Sequence, residues 1–241
     1  MDLCNLKVGE PDALVEELTP RVRAAKTVEE ACMLLSGELY ERCRKGGDGE
    51  RSLILSRIFL SLPFSALEPG VAAFATEKKS GLASTTGDMF LTLFGTRGDD
   101  PDWCDRKRSK GHQAIPLTRE TVKKVPMMSR CFQQIGFNLD IVLKAEEDIH
   151  LDGVSSAFGV FHVEDAQGSP FVPAQDNFVK PRGVHSVLGC GTMLPNGAVS
   201  IWIGFLRHVV AQGAAMPLVP MMPAFWHLIQ PVYRRRALFA D

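Results

Sequence analysis

The sequence predicts an α+β domain: an antiparallel sheet flanked by helices, preceded by an N-terminal helical extension. Three observations carry this. Asn196-Gly197 sits between two apolar runs, His185 to Leu194 and Ala198 to Leu206, which reads as a β-hairpin with a two-residue type I′ turn. Val199, Ile201, Ile203 and Phe205 alternate with Ala198, Ser200, Trp202 and Gly204, so both faces of that strand are covered. Near the start, Val28, Ala31, Cys32, Leu35 and Leu39 recur at spacings of three and four, a helical stripe.

Taken in order, residues 10–25 predict a first helix with Leu14, Val15, Leu18 and Val22 on one side and a break or junction at Pro20. Thr27 to Glu30 is a capping box that opens the second helix, which ends by Gly46-Gly47. Leu53 to Leu62 is strongly apolar and fits a strand or a buried helix, since periodicity alone does not separate them. A short helix over 66–78 and a polar loop from Lys78 to Gly87 follow. Asp88 to Gly95 is a strand with Phe90, Thr92 and Phe94 on one face and Met89, Leu91 and Leu93 on the other. Thr118 starts a helix stopped by Gly136, with a kink or two helices meeting at Pro126. Residues 138–152 are amphipathic and continue as helix, and 156–163 is a strand. The stretch 164–183, with three prolines, is a long loop of the functional or lid-like kind. The terminal helix starts at Pro223, a residue suited to a first turn. The expected division is 1–50 as the helical extension and 51–241 as the main domain.

The chain has 241 residues, 45% of them apolar, with 27 basic and 28 acidic side chains and a formal net charge of −1. That is enough for a buried core, and it supplies no global field for nucleic acid or a membrane surface. The start, MDLCNLKVGEPD, lacks the pattern of a secretory signal. Six scattered cysteines without a C-x-x-C pair read as reduced thiols in the cytoplasm. Residues 214–233 carry no formal charge over a spanning length, but four prolines argue against a membrane helix. The same prolines leave open a polyproline ligand or, more simply, an apolar cover for the sheet.

The segment from Trp103 to Leu117 holds the clearest candidate site. Trp103, Arg106, Ser109, His112 and Ile115 recur with a period of three, which a 3₁₀ or polyproline-like path keeps on one face. An aromatic plate, a guanidinium, a hydroxyl and an imidazole together suit a planar or anionic ligand. The plainer reading is that Arg106 and His112 hold loop carbonyls. Gln175, on the 164–183 loop, either lines the same pocket or satisfies its own backbone. His162 and His185 lie on neighbouring strands; convergence there would suit a ligand, zinc or haem, though a core histidine bonded to backbone explains each as well. No catalytic triad, phosphate loop or paired-carboxylate pattern is present.

Four stretches carry a resemblance to a known family: Trp103-x-x-Arg106-x-x-Ser109-x-x-His112-x-x-Ile115-Pro116-Leu117, Phe161-His162-Val163, Gly168 to Gln175, and Gly183-Val184-x-Ser186-Val187-Leu188-Gly189. Spread over residues 89–207, they resemble GAF-like sensory modules at the N-termini of bacterial histidine kinases and related signalling proteins. The resemblance implies a cytoplasmic, non-catalytic sensory domain in signal transduction. It implies a small-molecule pocket under a loop, a signalling partner protein, and a homodimer formed through terminal helices. It leaves the ligand and any cofactor unknown. The rival is a redox enzyme on the same fold, similar to methionine sulfoxide reductases, with Cys104 activated by Arg106, Lys107 and Arg108.

Overall fold

The computed structural model describes residues 1–78, 84–145 and 157–240. Its strands are β1 (Leu53–Pro63), β2 (Met89–Gly98), β3 (Ala114–Pro116), β4 (Phe158–Val163), β5 (Ser186–Met193) and β6 (Val199–Leu206). They form one antiparallel sheet in the order β3-β2-β1-β6-β5-β4. The apolar run from Leu53 is therefore a central strand, covered on both faces, which is why it shows no helical stripe.

The helices are α1 (Glu10–Ala24), α2 (Val28–Arg42), α3 (Pro69–Lys78), α4 (Arg119–Lys124), α5 (Pro126–Ile135), α6 (Leu139–Val142), α7 (Lys180–Arg182) and α8 (Met221–Arg234). α1 runs through Pro20 without a break. Thr27 caps α2 by accepting from the Glu30 N–H at 3.1 Å, and Glu30 reaches back to the Lys26 N–H. Pro126 divides two helices, as its missing N–H and fixed φ require. Of the helix expected over 138–152 only α6 forms, ending at Val142 with 143–145 not helical; residues 146–152 lie outside the described residues, as does much of the polar loop from Lys78.

Two cores result. On one face α1, α2 and α8 bury Leu18, Leu35, Leu39, Phe225 and Ile229 against Leu60, Leu188 and Trp202. Residues 1–50 thus share a core with the sheet. On the other face α4, α5, α6 and the 164–184 stretch cover Phe59, Leu91, Leu93, Phe161, Ile201 and Ile203. The alternation predicted for β2 and β6 assigns these faces. The apolar sides of residues 28–39 and 225–233 are buried within this chain.

The 212–218 turn places Ala215 and Leu218 in the first core, which makes this proline-containing stretch a cover for the sheet. α8 starts at Met221, not Pro223, and among the described residues no helix is long and apolar enough to cross a membrane.

The hairpin stands, but its turn differs from expectation. The Gly197 N–H donates to the Leu194 carbonyl at 2.9 Å, and of the two turn residues only Gly197, at φ 82°, is left-handed. Pro195 supplies the negative φ that a type I turn wants at its second position, so the loop is Pro195-Asn196-Gly197, with the glycine in the bulge position. Gly197→Val should therefore cost about 1–2 kcal/mol in urea denaturation, and Gly197→Asn less, because asparagine tolerates the left-handed region.

Candidate functional site

A cavity of ≈ 560 Å³ lies where the sheet, the Trp103–Leu117 segment and the 164–183 stretch meet, the place the sequence indicates. Leu55, Arg57, Phe59, Leu91, Ile201 and Ile203 of β1, β2 and β6 form its floor. Met128, Cys131 and Phe132 of α5 close one side. Lys110, Gly111, His112, Asn177 and Arg182 are exposed at its edge.

One wall is aromatic. Trp103 meets Phe178 edge-on at 5.5 Å between ring centres, and Phe178 meets Phe205 edge-on at 5.0 Å. Trp103 is seated over Gly98, where a Cβ would come within 2.8 Å of its ring. The Arg182 guanidinium stacks on the outer side of Trp103 at 4.6 Å and pairs with Asp100 at 2.8 Å. Arg108 pairs with Asp102 at 3.1 Å, so both edge carboxylates are engaged. The Asp102 N–H, and after it Arg182, hold the Asp100 carboxyl below its usual range.

The period-three row is mostly, not wholly, brought together. Trp103, Ser109, His112 and Ile115 line the cavity; Arg106 does not. Two separate 3₁₀ turns, Pro101–Trp103 and Arg106–Arg108, are capped by the side chains of Asp100 and Asp105, and the path between them rotates the row. Arg106 turns instead to the α2 side, 1% exposed. Its Nη2 donates to Glu68 at 2.6 Å; its Nε lies 2.7 Å from Glu29, close enough for an ion pair but outside hydrogen-bond angle. The Phe239 ring lies 5.0 Å away. Burial alone would weaken this cation; Glu29 and Glu68 outweigh it and raise the Arg106 pKa.

Gln175 is a loop staple. Its amide donates to the carbonyls of Val172 at 2.7 Å and Ala166 at 2.8 Å, and its oxygen accepts from the Gly168 N–H at 2.8 Å. This preorganises Val172, Pro173, Ala174 and Phe178, which do line the cavity. The stretch ends in a wide helical turn and α7, where a plain loop is expected from sequence.

His162 points to the other core, its Nε2 2.6 Å from the Val210 carbonyl. His185 is exposed just before β5, and among the described residues no hydrogen bond joins it to His162. Among the described residues no group of three His, Cys, Asp or Glu side chains could hold a metal ion. All six cysteines are unpaired. Cys104 Sγ lies 3.4 Å from the Gly98 carbonyl and outside the cavity, while burial pushes Cys131, at the cavity wall, up to about 12.

Sequence reasoning missed Arg57. It stands on β1 between Leu55 and Phe59, 8% exposed, and lines the cavity floor. Its Nε has no hydrogen-bond partner, and no ion pair or ring contact involves its guanidinium among the described residues. Burial pushes its pKa down to about 10. The available signal was a lone arginine inside an apolar run. A wider hollow of ≈ 860 Å³ lies along α8 and the hairpin turn, but its arginines, Arg234 and Arg236, are exposed and it contains none of the predicted residues.

No family model and no curated protein matches the sequence. Among solved structures, the GAF domain of a phosphoenolpyruvate-protein phosphotransferase from Coxiella burnetii is similar, at 16% identity over 95% of both chains with a TM-score of 0.43.

The contacts of Arg106 predict a structural role. Arg106→Met leaves Glu29 buried without its cation and should cost about 3–5 kcal/mol in denaturant unfolding. Adding Glu29→Gln should recover part of that loss. Ligand affinity of the folded fraction should not change.

Proposed function

We propose that this chain is a sensory domain that binds a small organic molecule and performs no catalysis of its own. The cavity carries this reading. Its floor is a rigid sheet, its aromatic wall is fixed by edge-on ring contacts, and its loop is stapled by Gln175. A site already shaped loses little entropy on filling. Its volume of ≈ 560 Å³ suits a molecule of one or two rings or a short chain. The cytoplasmic setting, the signalling partner and the dimer belong to the same reading as the context in which such a sensor acts.

The redox-enzyme alternative draws no support from the cavity. Cys104 is directed at main-chain carbonyls, and Arg106, one of its supposed activators, is held by two carboxylates.

An uncharged fluorophore, N-phenyl-1-naphthylamine, should bind at one site with enhanced emission. Ala174→Trp, which fills the cavity mouth from a half-buried position, should weaken it by at least about tenfold, roughly 1.4 kcal/mol, with the melting temperature held. Equal binding by the variant would place the fluorophore elsewhere and remove the basis of this reading.

A further inference from the structure

The cavity floor carries a charge that the fold itself does not answer. Position 57 faces the cavity together with Leu55 and Phe59, and lies opposite Thr96 on β2 and Ile203 on β6. An aliphatic side chain would serve the sheet there. A guanidinium buried without a counter-ion costs stability, because desolvation is not offset by an ion pair. The cost appears as the lowered pKa of Arg57, which still leaves the group charged at neutral pH. A second polar group is left over in the cavity lining: Ser109 is a lining residue, and its Oγ is buried without a hydrogen-bond partner.

The carboxylates that line the cavity do not serve Arg57. Asp100 and Asp102 are held at the edge by Arg182 and Arg108. Arg106, the other deeply buried arginine of this region, shows what this protein does with a structural guanidinium: two carboxylates and a ring surround it. Arg57 has none of these.

Resting on the ligand-binding reading above, we infer that the cavity takes an amphipathic organic carboxylate, its head group against the Arg57 guanidinium and its apolar body against Phe59, Ile201, Ile203 and the aromatic wall. The planar fork of arginine matches a carboxylate with two parallel hydrogen bonds. One buried cation neutralises one negative charge, so a monoanion leaves no residual charge in the apolar cavity. A phosphate monoester would bring a second charge with no second buried cation to meet it. A neutral ligand would leave Arg57 as it is.

The test compares 2-naphthoate with 2-naphthamide, which differ little in shape and by one charge, in calorimetric titrations of the full chain. The wild type should prefer naphthoate by about ten- to a hundredfold, the worth of a charge-assisted hydrogen-bonded contact. Arg57→Met should lose that preference while melting at or above the wild-type temperature, since it removes an unanswered buried charge. Naphthamide binding as tightly as naphthoate would overturn the inference, and so would a naphthoate preference that survives in Arg57→Met. Failure of both naphthyl compounds to bind a wild type that still binds the neutral fluorophore also overturns it, while the cavity reading stands. Failure of the fluorophore itself strikes the cavity reading instead. Where Arg57→Met does not fold, Arg57→Gln takes its place: it should lose the preference equally, and a preference that survives in it would overturn the inference.

Discussion

The structure depends on β1 being paired on both sides. Its partners are β2, the next strand in the chain, and β6, the last strand of the sheet. That long-range closure puts residues 53–63 at the centre of the sheet and forces both faces to be covered. One face receives the long helices α1, α2 and α8 and is sealed by a polar seam, in which Trp202 Nε1 donates to Ser56 Oγ at 3.0 Å and Ser36 Oγ donates to the Ser56 carbonyl at 3.0 Å. The other face receives shorter helices and an irregular stretch. They cover the sheet without filling the space above β1, and the cavity is what remains.

Two buried arginines on either side of this arrangement show how far environment outweighs residue type. Arg106 is enclosed by Glu29, Glu68 and Phe239, so its charge ties α2, the approach to α3 and the C-terminal stretch to one point. Arg57 is enclosed by apolar side chains and open space. Desolvation acts on both, but partners reverse its effect only at Arg106, so the two guanidinium pKa values move in opposite directions.

Much of this architecture was legible from spacing. The strict alternation in β2 and β6 assigned their faces, because the side-chain period of a strand leaves no other choice. The stripe in α2, the cap at Thr27 and the helix start at Thr118 were equally direct. β1 was ambiguous because a strand buried on both faces has no alternation to read. The hairpin turn was misassigned because Pro195 was left out of it; a proline beside Asn-Gly moves the reversal back by one residue. A cavity lies among the segments singled out from sequence, but not every residue named there lines it. A period of three held for Trp103, Ser109, His112 and Ile115, and failed at Arg106, because two capped turns do not form one continuous helix. Gln175, His162 and His185 were picked by residue type, and type does not reveal whether a polar group already has a partner. Arg57 escaped for the mirror reason: its lack of a partner is a three-dimensional fact.

The short stretch from Trp103 to Ser109 touches two unlike surroundings within seven residues. Its ends border the cavity, and its middle residue, Arg106, is anchored among α2 and the chain terminus. The terminus is fastened at the same spot, with the N–H groups of Val28 and Glu29 donating to the carbonyls of Ala237 and Leu238 at 2.9 Å and the Ala240 N–H donating to Glu29 at 3.0 Å. Three residues along the chain from either cavity-lining end, Trp103 or Ser109, stands the point where α2, the approach to α3 and the chain terminus are fastened together.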